Sequence, residues 1–342
     1  MSKIGRVRIV DVAREAGVSI ATVDRVLNKR VGVRPVTTER VWSAVARLNL
    51  GGPDAAPAVD AHVDRRIDFV LSAGAGPSFE ENLMTSIAEI GETLGVEIEC
   101  RDFESFNPAA LSDAIRQACA DGVDGIAFHA LEHPLVRAAV DAAAAEGVPS
   151  VAFLSDLSGS RRLGFAGIDN RAAGRTAGYL MGRFLGGRGG RVAILAGSHL
   201  YRSHDEREIG FRGVCRKDNP LLEVLDLVLG NDEPESNYRK TREQLERHDD
   251  LVGIYNIGSG NRGIAKALHE QGRDKDVVFI AHHLTTVSRQ YLLDGTIDAV
   301  IHQDMGRLAE AAIRLMLAPR DVRLSESVIL PFEIVVRENI FH

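Results

Sequence analysis

The stretch Ile9-Val10-Asp11-Val12-Ala13-Arg14-Glu15-Ala16-Gly17-Val18-Ser19-Ile20-Ala21-Thr22-Val23-Asp24-Arg25-Val26-Leu27-Asn28 decides how this chain is to be read. Ile9, Val12, Ala13 and Ala16 recur at helical spacing, which predicts a first helix from about Val10 to Ala16. Gly17-Val18 then makes a tight turn, and Ser19 is placed to cap a second helix through its hydroxyl. That helix runs to about Asn28 and buries Val23, Val26 and Leu27. A third is expected from Thr37 or Thr38, burying Val41, Ala44, Val45 and Leu48.

Two helices joined by so short a turn, the second with an exposed polar face, suit insertion into a DNA major groove. Ala21, Arg25 and Asn28 share that face by their i, i+4, i+7 spacing, and an arginine there can pair bidentately with guanine. Charge agrees. The 342-residue chain carries −7 overall, yet residues 1–50 hold ten Lys/Arg against four acids. A basic head on an acidic body fits a phosphate-contacting module.

Beyond the head the composition changes. Gly51-Gly52-Pro53-Asp54-Ala55-Ala56-Pro57-Ala58 reads as a linker, with glycine and proline as breakers. From Arg66 strands and helices alternate: Ile67–Ser72, Val96–Cys100, Val123–Phe128 and Val148–Leu154 read as strands. A second series begins after Asp169, with strands at Arg191–Ala196, Leu221–Leu229, Leu251–Ile257, Val277–Ala281 and Ile297–Ile301. Alternation of this kind means parallel sheets flanked by helices. The predicted class is therefore α/β: an all-α three-helix head, then a two-lobed body with parallel sheets. The expected division is a head at 1–50, a linker at 51–65, a first lobe from 66–168 with 304–330, and a second from 169–303 with 331–342. A ligand belongs in the cleft between the lobes, at the carboxyl ends of the strands.

Several classes are disfavoured. No run of 18 apolar residues predicts a membrane span, and no apolar signal core precedes the first helix, so a cytoplasmic protein is expected. Cys100, Cys119 and Cys215 are too sparse for a disulfide frame or a zinc set. His282 and His283 are adjacent and point apart, a poor chelate; no metal and no cofactor is expected. Gly258-Ser259-Gly260-Asn261-Arg262-Gly263 is a literal dinucleotide motif after a strand, which keeps a nicotinamide-dependent enzyme as a distant alternative. The acid that motif needs at the next strand end is replaced by Ala281-His282-His283.

The run from Ile9 to Asn28 resembles the N-terminal signature of the LacI family of transcriptional regulators, and the rest of the chain resembles the family's body, built like a periplasmic sugar-binding protein. By that resemblance Ile20, Ala21 and Arg25 would meet bases, while Ser19, Thr22 and Asn28 would contact phosphates of double-stranded operator DNA. Asp24 stands where the family usually has serine. The Tyr-x-Pro-Asn hinge pattern is replaced by Leu50-Gly51-Gly52-Pro53-Asp54, and Pro57 disfavours a standard hinge helix. In the body, Phe79 of Pro77-Ser78-Phe79 matches an aromatic stacking segment, and Asp156 follows a strand where the family has an Asp-Arg pair. Arg207, in Arg207-Glu208-Ile209-Gly210-Phe211, would fork onto hydroxyls, and Gln303 matches a lobe-crossing glutamine. Asp169-Asn170 matches the first crossover. Asn256 stands one residue before Ile257-Gly258, where the family has Asn-Asp, and His283 replaces an aspartate. The resemblance implies a homodimeric repressor whose effector is a monosaccharide, polyol or sugar acid. Activation, or a corepressor-dependent sign, stays open.

Overall fold

A computed structural model describes residues 9–27, 37, 40, 41, 44, 65–73, 77–318 and 327–340, the side chains of 9, 11, 27 and 77–82 excepted. The chain divides into two compact units, Met1–Val63 and Asp64–His342.

In the first unit α1 spans Ile9–Ala16 and α2 spans Ile20–Leu27. Gly17 joins them at φ +60°, a left-handed turn that a side chain would strain. Ser19 caps α2 as its position predicts: its Oγ accepts the Thr22 amide at 3.1 Å. Thr37, Arg40, Val41 and Ala44 are helical too. Val41 and Ala44 close a core with Val12, Ala13, Ala16, Val23 and Val26. Arg40 reaches back to the Ala16 carbonyl at 2.7 Å and so covers the open end of α1. The expected linker and hinge at 51–65 lie almost wholly outside the described residues.

The second unit holds two six-stranded sheets. The first is built from β1 (Arg65–Ser72), β2 (Val96–Phe103), β3 (Gly125–Phe128), β4 (Ser150–Phe153) and β5 (Gly164–Ile168), with a late strand, Ser327–Leu330, beside β5. Its order is 2-1-3-4-5 and then that late strand, all parallel. The second repeats the plan with β6 (Gly190–Ala196), β7 (Leu222–Leu229), β8 (Leu251–Asn256), β9 (Val278–His282) and β10 (Ala299–His302), closed by antiparallel Glu333–Val335.

Side-chain alternation places helices on both faces of each sheet. Phe69 and Leu71 pack with Leu83, Ile87, Leu308 and Ile313, whereas Val70 between them faces Leu111, Ile115, Val136 and Val140. Val192 and Ile194 likewise pack with Ala177, Met181 and Phe211, while Ala193 and Leu195 face Ile264, Leu268 and Leu292. The strands at Gly164–Ile168, Ser327–Leu330 and Glu333–Val335 are additions to the sequence reading: each is short and carries little apolar periodicity. Among the described residues no helix is long and apolar enough to cross a membrane.

Candidate functional site

Both sheets turn their carboxyl ends toward one cavity of about 50 Å³. Its walls come largely from strand ends and the loops beyond them: Ser72 and Asp102 at the ends of β1 and β2, His129 and Leu154 after β3 and β4, Asp232 after β7, Gly258 and Ser259 after β8, His283 after β9 and Gln303 after β10. The loop after β6 and the start of the helix Arg202–Asp218 add Tyr201, Ser203, His204 and Arg207.

Among the described residues five non-glycine positions have positive φ, and Leu154 (63°), Asp232 (56°) and His283 (64°) of these line the cavity. Such backbone costs free energy and persists where surrounding structure over-determines it, often at binding sites.

Arg207 sits at the centre, 2% exposed. Its Nε–H donates to Asn170 Oδ1 at 2.8 Å and its Nη1–H to the Ile257 carbonyl at 2.8 Å. It makes no ion pair with a described residue. Burial therefore pulls it down to about 10, against the nearby Asp232 and Glu206 charges, which raise it. Asn170 opens the helix Asn170–Leu185, whose Gly174 lets the helix Arg202–Asp218 approach: a Cβ there would lie 1.9 Å from the Arg207 carbonyl oxygen.

Histidines surround this cation. His129, stacked on Tyr201 with centroids 4.3 Å apart, is pushed down to about 3 by burial and then by Arg207. His204, His282 and His283 are held well below the ordinary imidazole value for the same two reasons, so all are neutral donors or acceptors. His282 turns away from the cavity, its Nε2 2.8 Å from the Tyr255 hydroxyl. Asp232 is raised to about 6 by burial, although its Oδ1 accepts the Ser259 amide at 2.7 Å. Two buried lining atoms, His204 Nδ1 and Gln303 Oε1, have no hydrogen-bond partner among the described residues. Polar atoms left bare in a cavity mark places a ligand or water fills.

The residues singled out from sequence fall into three groups. Arg207, His283 and Gln303 meet in the cavity. Asp156 and Asn256 are not among its lining residues. Asp156 Oδ1 and Oδ2 accept Arg162 Nε–H and Nη2–H at 2.6 and 2.9 Å. Asn256 Nδ2 donates to the Ser259 carbonyl and to Asn261 Oδ1, tying the Gly258 loop to the next helix. The Phe79 side chain lies outside what is described; its backbone belongs to the helix Pro77–Leu94. Sequence reading missed Ser72, His129 and Asp232, whose common signal is a position at or just past a predicted strand end, and Tyr201 and His204, which lie farther on, at the start of the helix Arg202–Asp218.

In the head, Ser19, Ile20, Ala21 and Arg25 are exposed and Thr22 is half-buried. Ile20 is 52% exposed and lies outside the head's core. Ser19 Oγ and Thr22 Oγ1 lie 2.8 Å apart. Asn28 lies outside the described residues.

Residues 8–50 match the model of the bacterial regulatory proteins of the lacI family, and residues 67–319 match the periplasmic binding protein domain. The chain belongs to the lacI family. The regulator is 28% identical over 320 residues to the HTH-type transcriptional repressor PurR of Erwinia tasmaniensis, covering 90% of this chain and 89% of that one. A PurR of Photorhabdus laumondii is 26% identical over 318 residues, with coverage of 90% and 89%. By fold, its body is similar to a solute-binding protein of Burkholderia graminis in complex with D-arabinose (TM-score 0.75, 22% identity, covering 81% of this chain and 97% of that one). It is also similar to GanP, a glucose-galactose binding protein of Geobacillus stearothermophilus (TM-score 0.73, 20% identity, covering 82% and 99%).

Proposed function

We propose that the regulator is an operator-binding transcriptional repressor whose DNA affinity is set by a sugar-like small molecule in the Arg207 cavity. The observation that carries the reading is the cavity itself: the strand ends of two sheets converge on a buried guanidinium and on the bare His204 Nδ1 and Gln303 Oε1. Hydroxyl groups satisfy all of these at once. The exposed face of α2, with Ile20 and Ala21 in its first turn and Arg25 in its last, is the base-reading edge, and Ser19, Thr22 and Asn28 take phosphates.

Repression as the sign of regulation is supported by the PurR relatives. The lobes are 66–168 with 304–330 and 169–303 with 331–342. A cytoplasmic homodimer presents two heads to a two-fold operator. The effector acts by preferring one arrangement of the lobes, since only differential affinity shifts an equilibrium. The test is direct. Full-length protein is mixed with duplexes selected from a random library at low ionic strength, and bound duplexes are titrated with salt and with monosaccharides, polyols and sugar acids. Selective retention that weakens steeply with salt and changes with one compound is expected. Failure to retain any duplex overturns the reading.

A further inference from the structure

We infer that the effector is an anion, a small hydroxylated carboxylate, whose charge is received by Arg207. The inference rests on the effector reading above and narrows its chemistry.

The charge balance of the cavity carries it. Arg207 is its deeply buried charge, and two carboxylates also line the walls. Asp102 is exposed, so water screens it. Asp232 is tied to backbone: its Oδ1 accepts the Ser259 amide, and its carboxylate lies so close to Gly197 and Gly258 that a Cβ at either would come within 2.3 and 2.1 Å of it. It shapes the two loops and stands beyond ion-pair distance of the guanidinium. The other acid expected near the ligand, Asp156, is taken up by Arg162. Around the guanidinium stand His129, His204 and His283, all uncharged. A buried cation without a paired carboxylate is costly, and an anionic ligand supplies the missing partner. The hydrogen bonds of Arg207 to Asn170 and Ile257 use Nε and Nη1, leaving Nη2 for a carboxylate oxygen. Gln303 Oε1 accepts from a hydroxyl of the same molecule, which is why the ligand is hydroxylated as well as charged.

The experiment compares charged and neutral partners of one skeleton. Full-length protein is titrated calorimetrically with D-gluconate against D-glucose, D-galacturonate against D-galactose and D-xylonate against D-xylose. Glucose 6-phosphate and inorganic phosphate test whether a phosphoryl group serves as the anion. At least one acid is expected to bind about 100-fold tighter than its neutral partner, as pairing a desolvated charge allows. Arg207→Gln, its fold checked by circular dichroism, brings the two within a few-fold, while Arg207→Lys keeps a preference. Tighter binding of the phosphorylated sugar keeps the anion and moves its source to phosphate. Neutral sugars binding as tightly as their acids overturn the anion while leaving a sugar-like effector. No binding by any member, with operator binding intact, overturns both. The comparison on the unmodified protein decides even if Arg207→Gln fails to fold.

Discussion

Tyr201 donates its phenolic hydrogen to Ser72 Oγ at 2.8 Å, joining the loop after β6 in one sheet's domain to the end of β1 in the other. The bond is one of a set. The Glu132 amide donates to the Leu200 carbonyl at 2.7 Å, and the Ser203 amide donates to Ser155 Oγ at 3.3 Å. Arg202 also reaches Ser158 Oγ. The strap from Leu200 to Ser203 thus holds the cleft closed over the cavity.

Opening must break the Tyr201–Ser72 bond, worth about 1 kcal/mol net. Tyr201→Phe keeps the stack on His129 and removes that bond. Stopped-flow dissociation of the bound effector should quicken about 5-fold. An unchanged rate would show that the strap does not limit opening.

Asp156 and Arg162 form a half-buried bidentate pair, side chains 18% and 12% exposed. Asp156→Ala leaves the guanidinium unpaired and should cost about 2 kcal/mol of stability. Effector affinity should stay within two-fold in calorimetry. A large loss of affinity without loss of stability would put Asp156 on the ligand after all.

Gly174 is where the helices Asn170–Leu185 and Arg202–Asp218 come closest. A methyl group there meets the Arg207 carbonyl, and Gly210 faces the Arg171 carbonyl with a similar clearance of 2.2 Å. Gly174→Ala should cost about 2 kcal/mol by overpacking. That is a fall of roughly 4–8 °C in thermal denaturation. Because the shift moves Arg207, effector affinity should fall with it. A variant with unchanged Tm would remove the close approach as a constraint.

Asp232 gives the cavity a pH signature. Its folded value, about 6, lies above the ordinary carboxylate value of 3.8, chiefly through burial. The folded state therefore holds this proton longer than the unfolded one, and Asp232 destabilises the fold as pH rises from about 4 to about 6. Asp232→Asn keeps an acceptor for the Ser259 amide and removes the charge. Its gain in Tm over the parent should grow across that window and then level. A gain independent of pH would mean that the charge is not the cause.

In the head, Arg25→Ala should weaken operator binding by about 10–100-fold, the worth of one bidentate base contact. Effector affinity should not change. Mobility shift and calorimetry on the same preparation read both; loss of both would contradict separate roles for the two units.

Local sequence determined the helices of the head, the cap at Ser19 and nine of the strands, because each rests on neighbours a few residues apart. Short-range periodicity needs no knowledge of the fold to be read. Arg207, His283 and Gln303 were legible because each sits in a motif or at a strand end that already pointed to the cleft. Asp156 shows the limit: its sequence position suits a ligand contact, and only folding brings Arg162 onto its carboxylate. Tyr201, His129 and Asp232 were invisible as a set, since they come from three different loops. Their meeting depends on two sheets presenting their carboxyl ends to the same space, a long-range arrangement that tertiary packing alone decides. Whether a polar side chain ends paired, bare or stacked is settled there, because burial, not residue type, sets what an unpaired charge costs.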